Sequence, residues 1–283
     1  MVHRAILAGV ALGRGAPVAV MGALNVSPES FHAASVHTEG QDLLAAALAM
    51  VDAGAALIDV GARSTAPYRG SRIGDEHERE RLVRAVEILA AKVPVPISAD
   101  TTGPGPARAA LDAGARVIND VSGLRDPALA ALIRQRGAGA ILMAFPANTP
   151  SEMGPVASVK VLLKDALERA REAGILDEHV VLDPGIGFFR GETVAWDEWD
   201  AAVLAGLGEL EALGRPLCIG VSRKSFLGAI TGRPRTEDRL AGSLAATAVA
   251  VWNGAALVRT HDVAETLDAV RIVERIRRAR ATL

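Results

Sequence analysis

Residues 95–123 read VPISADTTGPGPARAALDAGARVINDVSG, a complete strand–helix–strand unit. Residues 95–99 form a short apolar run that ends in the polar trio Asp100-Thr101-Thr102. Residues 104–113 then place their apolar side chains at helical spacing. Ala113-Gly114 stops that helix, because glycine accepts the left-handed backbone of a helix terminus. A second apolar run, 116–118, follows and ends in Asn119-Asp120-Val121-Ser122-Gly123. Outward from this unit the same alternation recurs. Apolar runs at 18–24 and 56–60 precede it, and runs at 140–143, 180–182, 217–221 and 256–258 follow, which makes eight. Helical segments lie between them at 41–53, 76–92, 128–136, 159–173, 199–213 and 239–253. Such alternation implies a parallel sheet with right-handed crossovers. Eight evenly spaced units favour closure into an α/β (β/α)8 TIM barrel over the competing doubly wound open sheet.

Length and composition agree with one such domain over 1–283, with residues 1–16 as an N-terminal extension. A chain of 283 residues matches the roughly 250 typical of the barrel. Half of the residues are hydrophobic while aromatics make up only 3%, so the apolar mass is Ala, Val, Leu and Ile, as doubly covered strands require. Scarce aromatics argue against a base-stacking surface, and a formal charge of −2 gives no reason to expect nucleic acid or an anionic membrane as partner. Cys218 is the single cysteine, which excludes an intramolecular disulfide and a cysteine-based zinc site. No apolar run approaches the roughly 20 residues of a membrane span, and the N-terminus lacks a signal-peptide cleavage pattern. The expectation is a soluble cytoplasmic protein.

Polar residues collect where the strands end. Besides the two clusters above, these are Asn25-Val26-Ser27-Pro28-Glu29-Ser30-Phe31, Asp59-Val60-Gly61, Asp183-Pro184-Gly185-Ile186-Gly187-Phe188, Ser222-Arg223-Lys224-Ser225 and Arg259-Thr260-His261-Asp262. A single polar residue there is usually a helix cap or turn former, but seven strand ends together point to a site on the C-terminal rim. The clusters divide by chemistry. Asn25, Asp59, Asp100, Asn119 and Asp183 offer planar donors, acceptors and carboxylates of the kind an aminopyrimidinone edge demands. The same carboxylates are also a possible divalent-metal set, although they sit on separate strands with no paired histidines. Arg223, Lys224, Arg259 and His261 lie on the last two strands, where this fold usually binds phosphate, and Ser222 and Ser225 add donors for the same anion. A heterocycle carrying a phosphate leaving group fits both kinds. Mg2+ bridging a pyrophosphate beside Asn25 fits the metal's preference for few protein oxygens plus phosphates.

Over about residues 18–276 the chain resembles the dihydropteroate synthase family. Asn25-Val26-Ser27-Pro28-Glu29-Ser30-Phe31, Asp183-Pro184-Gly185-Ile186-Gly187-Phe188, Gly220-Val221-Ser222-Arg223-Lys224-Ser225-Phe226 and Arg239-Leu240-Ala241-Gly242-Ser243 carry the resemblance, in the family's order. It implies a barrel, often dimeric, that joins 6-hydroxymethyl-7,8-dihydropterin diphosphate to p-aminobenzoate. By position it implies that Asp100, Asn119, Asp183 and Lys224 hold the pterin. Arg259 and His261 bind the diphosphate, with Asn25 beside Mg2+. Thr65, Met143, Phe188 and Ser225 complete the substrate-binding set, and Asp100, Lys224, Arg259 and His261 are the catalytic candidates. Three departures stand out. Glu29 replaces the family's Asp and His32-Ala33-Ala34-Ser35 replaces Ser-Asp-Gly-Gly. Arg63-Ser64-Thr65-Ala66-Pro67 replaces Glu-Ser-Thr-Arg-Pro, and Phe189-Arg190 replaces Gly-Lys. They leave open drift in the loops, a larger aniline such as a ribosylated aminobenzene phosphate met by Arg63, a pterin-binding methyltransferase module, or a non-catalytic pterin-binding homologue.

Overall fold

A computed structural model of the chain describes residues 4–26, 40–63, 74–146, 153–190 and 194–280. The chain opens with a hairpin, β1 (Arg4–Leu7) and β2 (Val10–Gly13), then enters β3 (Ala19–Asn25) and α1 (Gly40–Asp52). Next come β4 (Leu57–Gly61), α2 (Asp75–Ala90), β5 (Ile97–Asp100), α3 (Pro104–Ala113), β6 (Val117–Asp120) and α4 (Pro127–Arg136). β7 (Gly139–Met143), α5 (Pro155–Glu172), β8 (Val180–Asp183), α6 (Trp196–Ala205) and β9 (Leu217–Ile219) follow. The chain ends with α7 (Ser225–Thr231), α8 (Leu240–Trp252), β10 (Ala255–Thr260) and α9 (Val263–Arg280). β3 to β10 close into a parallel barrel in the order β10-β3-β4-β5-β6-β7-β8-β9. The eight strands are those read from the sequence, and the fold is the single-domain (β/α)8 barrel.

Local signals explain the element ends. Asp126 caps α4 by accepting from the Ala128 N–H at 2.8 Å, Pro127 occupies the first turn, and Gly137 closes the helix in the left-handed region at φ 60°. Strand side chains alternate between helix-facing and barrel-facing positions, and both sets are buried, so the strands read as continuous apolar runs.

The hairpin is the main feature that the sequence did not reveal. Its turn places Ala8 at φ 49° and Gly9 at φ 92°, the two left-handed positions of a tight hairpin loop. Ala-Gly is a weak hairpin signal beside Asn-Gly, which is why residues 1–16 read only as an extension. Instead β1 and β2 plug the N-terminal end of the barrel. Ala5, Leu7 and Leu12 are fully buried against Met21, Leu57, Val117, Ile141, Val181, Cys218 and Leu257, the lowest interior layer. At about 1.5–3 kcal/mol for each fully buried large aliphatic side chain, the two leucines make this plug a substantial part of the stability. A Cβ at Gly139 would stand 2.8 Å from Leu7 Cδ2, so β7 must begin with glycine to admit the plug. Arg215 fixes the hairpin from outside by donating to the Arg4 carbonyl.

Candidate active site

One step of two residues, about 6.6 Å, separates the apolar bottom of the barrel from a polar floor. Leu57, Val117, Val181 and Leu257 lie in the lower layer. Two residues further along the same strands stand Asp59, Asn119, Asp183 and Arg259. Asp59 is the hub of this floor and is wholly buried. It accepts from Ser98 Oγ at 2.6 Å, Asn119 Nδ2 at 3.1 Å and Arg259 Nε at 2.6 Å. Arg259 also donates to Asp100 Oδ2 at 3.2 Å. Asp59, expected at the pterin edge, is therefore spent as a strut that orients Asn119 and Arg259. Ser98 was not anticipated, because a serine inside an apolar strand carries no distinctive signal.

Asp100 differs from Asp59 in having a buried oxygen to spare. Oδ1 has no partner among the described residues. Burial raises its pKa to about 7, Arg259 pulls it down, and Asp59 pushes it further up. Near neutrality this carboxyl accepts a hydrogen bond or donates one, as a heterocycle edge of mixed donors and acceptors requires. Asp183 uses Oδ1 to accept from the Gly185 N–H at 2.7 Å, and burial raises its pKa as well. Met143, almost fully buried, lies beside Asp183 in strand register and supplies an apolar wall.

The rim gathers around His261. Its Nδ1 and the Ser222 hydroxyl are 3.0 Å apart, and its Nε2 is 3.5 Å from Asn25 Nδ2. That orientation leaves Asn25 Oδ1 as the oxygen available to a cation. Among the described residues no group of three or more His, Cys, Asp or Glu is placed to hold a metal ion. A magnesium ion here would be held by Asn25 Oδ1 together with water and phosphate oxygens, which suits its chemistry.

Lys224 is half-buried and donates to the Ile186 carbonyl, with its ammonium 4.7 Å from the Phe188 ring centre. Burial lowers its pKa, while Asp183 and Asp200 oppose that shift. Ser225 accepts from Arg190 Nη2 at 2.5 Å, and the Arg190 guanidinium lies 4.0 Å over Trp196. The structure thus brings Asn25, Asp100, Asn119, Met143, Asp183, Phe188, Lys224, Ser225, Arg259 and His261 to one end of the barrel. Thr65 and the segment from Ser27 to Ser35, which includes Glu29, lie outside the described residues, as do Ser64, Ala66 and Pro67.

Two cations do other work than the sequence suggested. Arg223 was grouped with the anion-binding rim, yet its guanidinium grips Asp262 with two bonds of 2.8 and 2.6 Å. Its backbone sits at φ 56°, a conformation unfavourable for a side-chain-bearing residue, and is held there by the Ser243 hydroxyl accepting from its N–H at 2.8 Å. Arg223 therefore shapes the turn that presents Lys224. Arg63 donates to Glu78 at 3.2 Å and lies 3.7 Å from Asp75. Glu78, almost fully buried at the start of α2, also accepts from Thr101 at 2.5 Å. The charge of Arg63 is balanced within the protein.

The family described as "Pterin binding enzyme" matches residues 21–261. The dihydropteroate synthase of Mycobacterium leprae is 39% identical over 271 residues, covering 91% of this chain and 93% of that protein. Among solved structures, Xanthomonas albilineans dihydropteroate synthase with 4-aminobenzoic acid superposes with a TM-score of 0.86 at 36% identity, covering 98% of this chain and 99% of the other. The same enzyme with 7,8-dihydropteroate gives 0.83 at 36% identity, with 97% and 98% covered.

Proposed function

The chain belongs to the pterin-binding enzyme family and within it to the dihydropteroate synthases, and from that premise we propose how its residues carry out the synthase reaction. The enzyme condenses 6-hydroxymethyl-7,8-dihydropterin diphosphate with p-aminobenzoate to give 7,8-dihydropteroate and pyrophosphate. The observation that carries the reading is Asp100 Oδ1, a buried oxygen without a partner on the floor of a closed barrel. Such an atom is costly unless a ligand satisfies it. The pterin edge does so, with Asn119 and Asp183 at neighbouring positions and Lys224 above them.

The diphosphate faces the rim, where His261, Ser222 and Asn25 stand and where the Arg259 charge contributes from below. Departure breaks the methylene C–O bond, and both electrons leave with pyrophosphate. The aniline nitrogen then forms the C–N bond to the electron-poor methylene and releases a proton. No protein nucleophile is required, and preorganised cations stabilise the leaving anion. Mg2+, when bound beside Asn25, supplies further charge neutralisation to the diphosphate.

Arg63 was the feature that favoured a phosphate-bearing aniline. Its pairing with Glu78 and Asp75 weakens that support, and the similarity to dihydropteroate synthases favours p-aminobenzoate. We place the enzyme in the cytoplasm; no helix among the described residues is long and apolar enough to cross a membrane. We assign it a homodimer through α8 and α9, whose outer faces expose Val249, Trp252, Ile272 and Ile276.

The test is pyrophosphate release from pterin diphosphate and Mg2+ with p-aminobenzoate, with the ribosylated aniline phosphate, or with no acceptor. Turnover with p-aminobenzoate is expected. Turnover with only the larger aniline refutes the acceptor assignment, and pterin binding without turnover refutes the enzyme.

A further inference from the structure

Lys224 docks on a loop that is held at three successive residues. Asp183 accepts from the Gly185 N–H at 2.7 Å, Lys224 itself donates to the Ile186 carbonyl, and Asp200 accepts from the Gly187 N–H at 2.8 Å. Asp200 belongs to α6 and is wholly buried. Phe189 stacks on Trp199 with ring centres 4.9 Å apart, so loop and helix pack as one unit. Gly187 adopts φ 84°, and a Cβ there would stand 2.7 Å from Lys224 Cδ. The lysine stem therefore lies directly on the amide that Asp200 fixes. The second oxygen of Asp200, Oδ2, has no partner among the described residues. A buried carboxylate is an expensive way to hold one N–H, which an amide or hydroxyl would hold as well. Its charge needs a reason.

We propose that Asp200 is a positioning residue for the synthase: it fixes the loop on which Lys224 rests and, as a carboxylate, keeps that lysine protonated toward the pterin. The charges around Lys224 make the case. Asp183 on β8 and Asp200 on α6 favour its ammonium, whereas Arg259 on β10 and Arg190 after the loop oppose it. Without Asp200 only Asp183 among these groups favours the ammonium, against Arg190 and an Arg259 already paired with Asp59 and Asp100. Around Asp200 itself stand Lys224, Arg190 and Asp197. Burial raises the pKa of Asp200 to about 6, the Gly187 N–H and then the two cations hold it down, and Asp197 adds to the rise. The carboxylate thus forms as pH rises through about 6, the range in which it begins to support Lys224.

The proposal rests on the reading that Lys224 contacts the pterin, so its test reads pterin binding rather than turnover. Affinity for 7,8-dihydropteroate is measured calorimetrically across pH for the wild type and Asp200→Asn, which keeps the acceptor for Gly187 but not the charge. The two proteins should agree at about pH 5, where Asp200 is largely protonated. The variant should weaken progressively at higher pH, reaching about a tenfold loss at the alkaline end as Lys224 deprotonates earlier. Asp200→Ser, also uncharged, repeats the comparison if the amide variant does not fold. An equal loss at every pH, or no loss, overturns the charge role. A wild type that binds no pterin at any pH overturns the underlying assignment of Lys224, a distinct result.

Discussion

Replacing Asp100 with asparagine should stabilise the protein while destroying its pterin site. Burial lifts this carboxyl from 3.8 to about 7, so the folded state holds a proton that the unfolded chain has released. Stability from this group is therefore full below the unfolded value, declines as pH rises between about 4 and 7, and stays low above that. At about 1.4 kcal/mol per pH unit, the three-unit gap amounts to about 4 kcal/mol above pH 7. Asparagine resembles the protonated acid in shape and charge and escapes the penalty. Urea unfolding of ligand-free protein, with midpoint and slope fitted together, should show equal stability near pH 4 and a gap in favour of Asp100→Asn that widens to neutrality. Activity should fall at least a hundredfold at every pH. A variant less stable than wild type at pH 8, or a gap that narrows as pH rises, refutes the reasoning.

Other substitutions probe the remaining elements. Arg259→Met leaves Asp59 and Asp100 without their cation, and should cost about 3–5 kcal/mol in denaturant unfolding together with activity; a variant as stable as wild type refutes the floor network. Lys224→Ala should raise KM for the pterin diphosphate or lower kcat, about a hundredfold in kcat/KM; unchanged kinetics remove it from the site. Leu7→Ala should lower stability by about 2–5 kcal/mol with kcat unaltered, because the plug lies opposite the rim. Arg63→Ala should change kcat/KM with p-aminobenzoate by less than about threefold, since its charge is balanced by Glu78; a selective loss with a phosphate-bearing aniline would restore the larger acceptor.

Much of this was legible in the sequence because two periodicities carried it. Alternating apolar runs and helical segments gave the barrel, and the polar residues at strand ends gave its working face. What resisted reading was partnership. Asp59 and Asp100 look alike in sequence, each following an apolar run, yet Arg259, Ser98 and Asn119 saturate the first and leave the second with a spare oxygen. Arg223 and Lys224 are neighbours, yet Asp262 claims one and a backbone carbonyl receives the other. Asp200 and Glu78 sit within helices, where a carboxylate reads as a solvated face. Only packing of α6 and α2 against the loops reveals them as buried.

The basal hairpin has a consequence for how the chain is made. The hairpin is made before the strands it seals, since its resting place includes Cys218 and Leu257, and Arg215 reaches Arg4 across 211 positions of sequence. β3 likewise waits for β10 before the ring can close. The hairpin cannot complete its packing until β9 and β10 are in place, so its full seating accompanies closure of the barrel. Contacts of such long sequence separation slow folding. A chain lacking β10 would leave Leu7 and Leu12 without part of the layer that buries them.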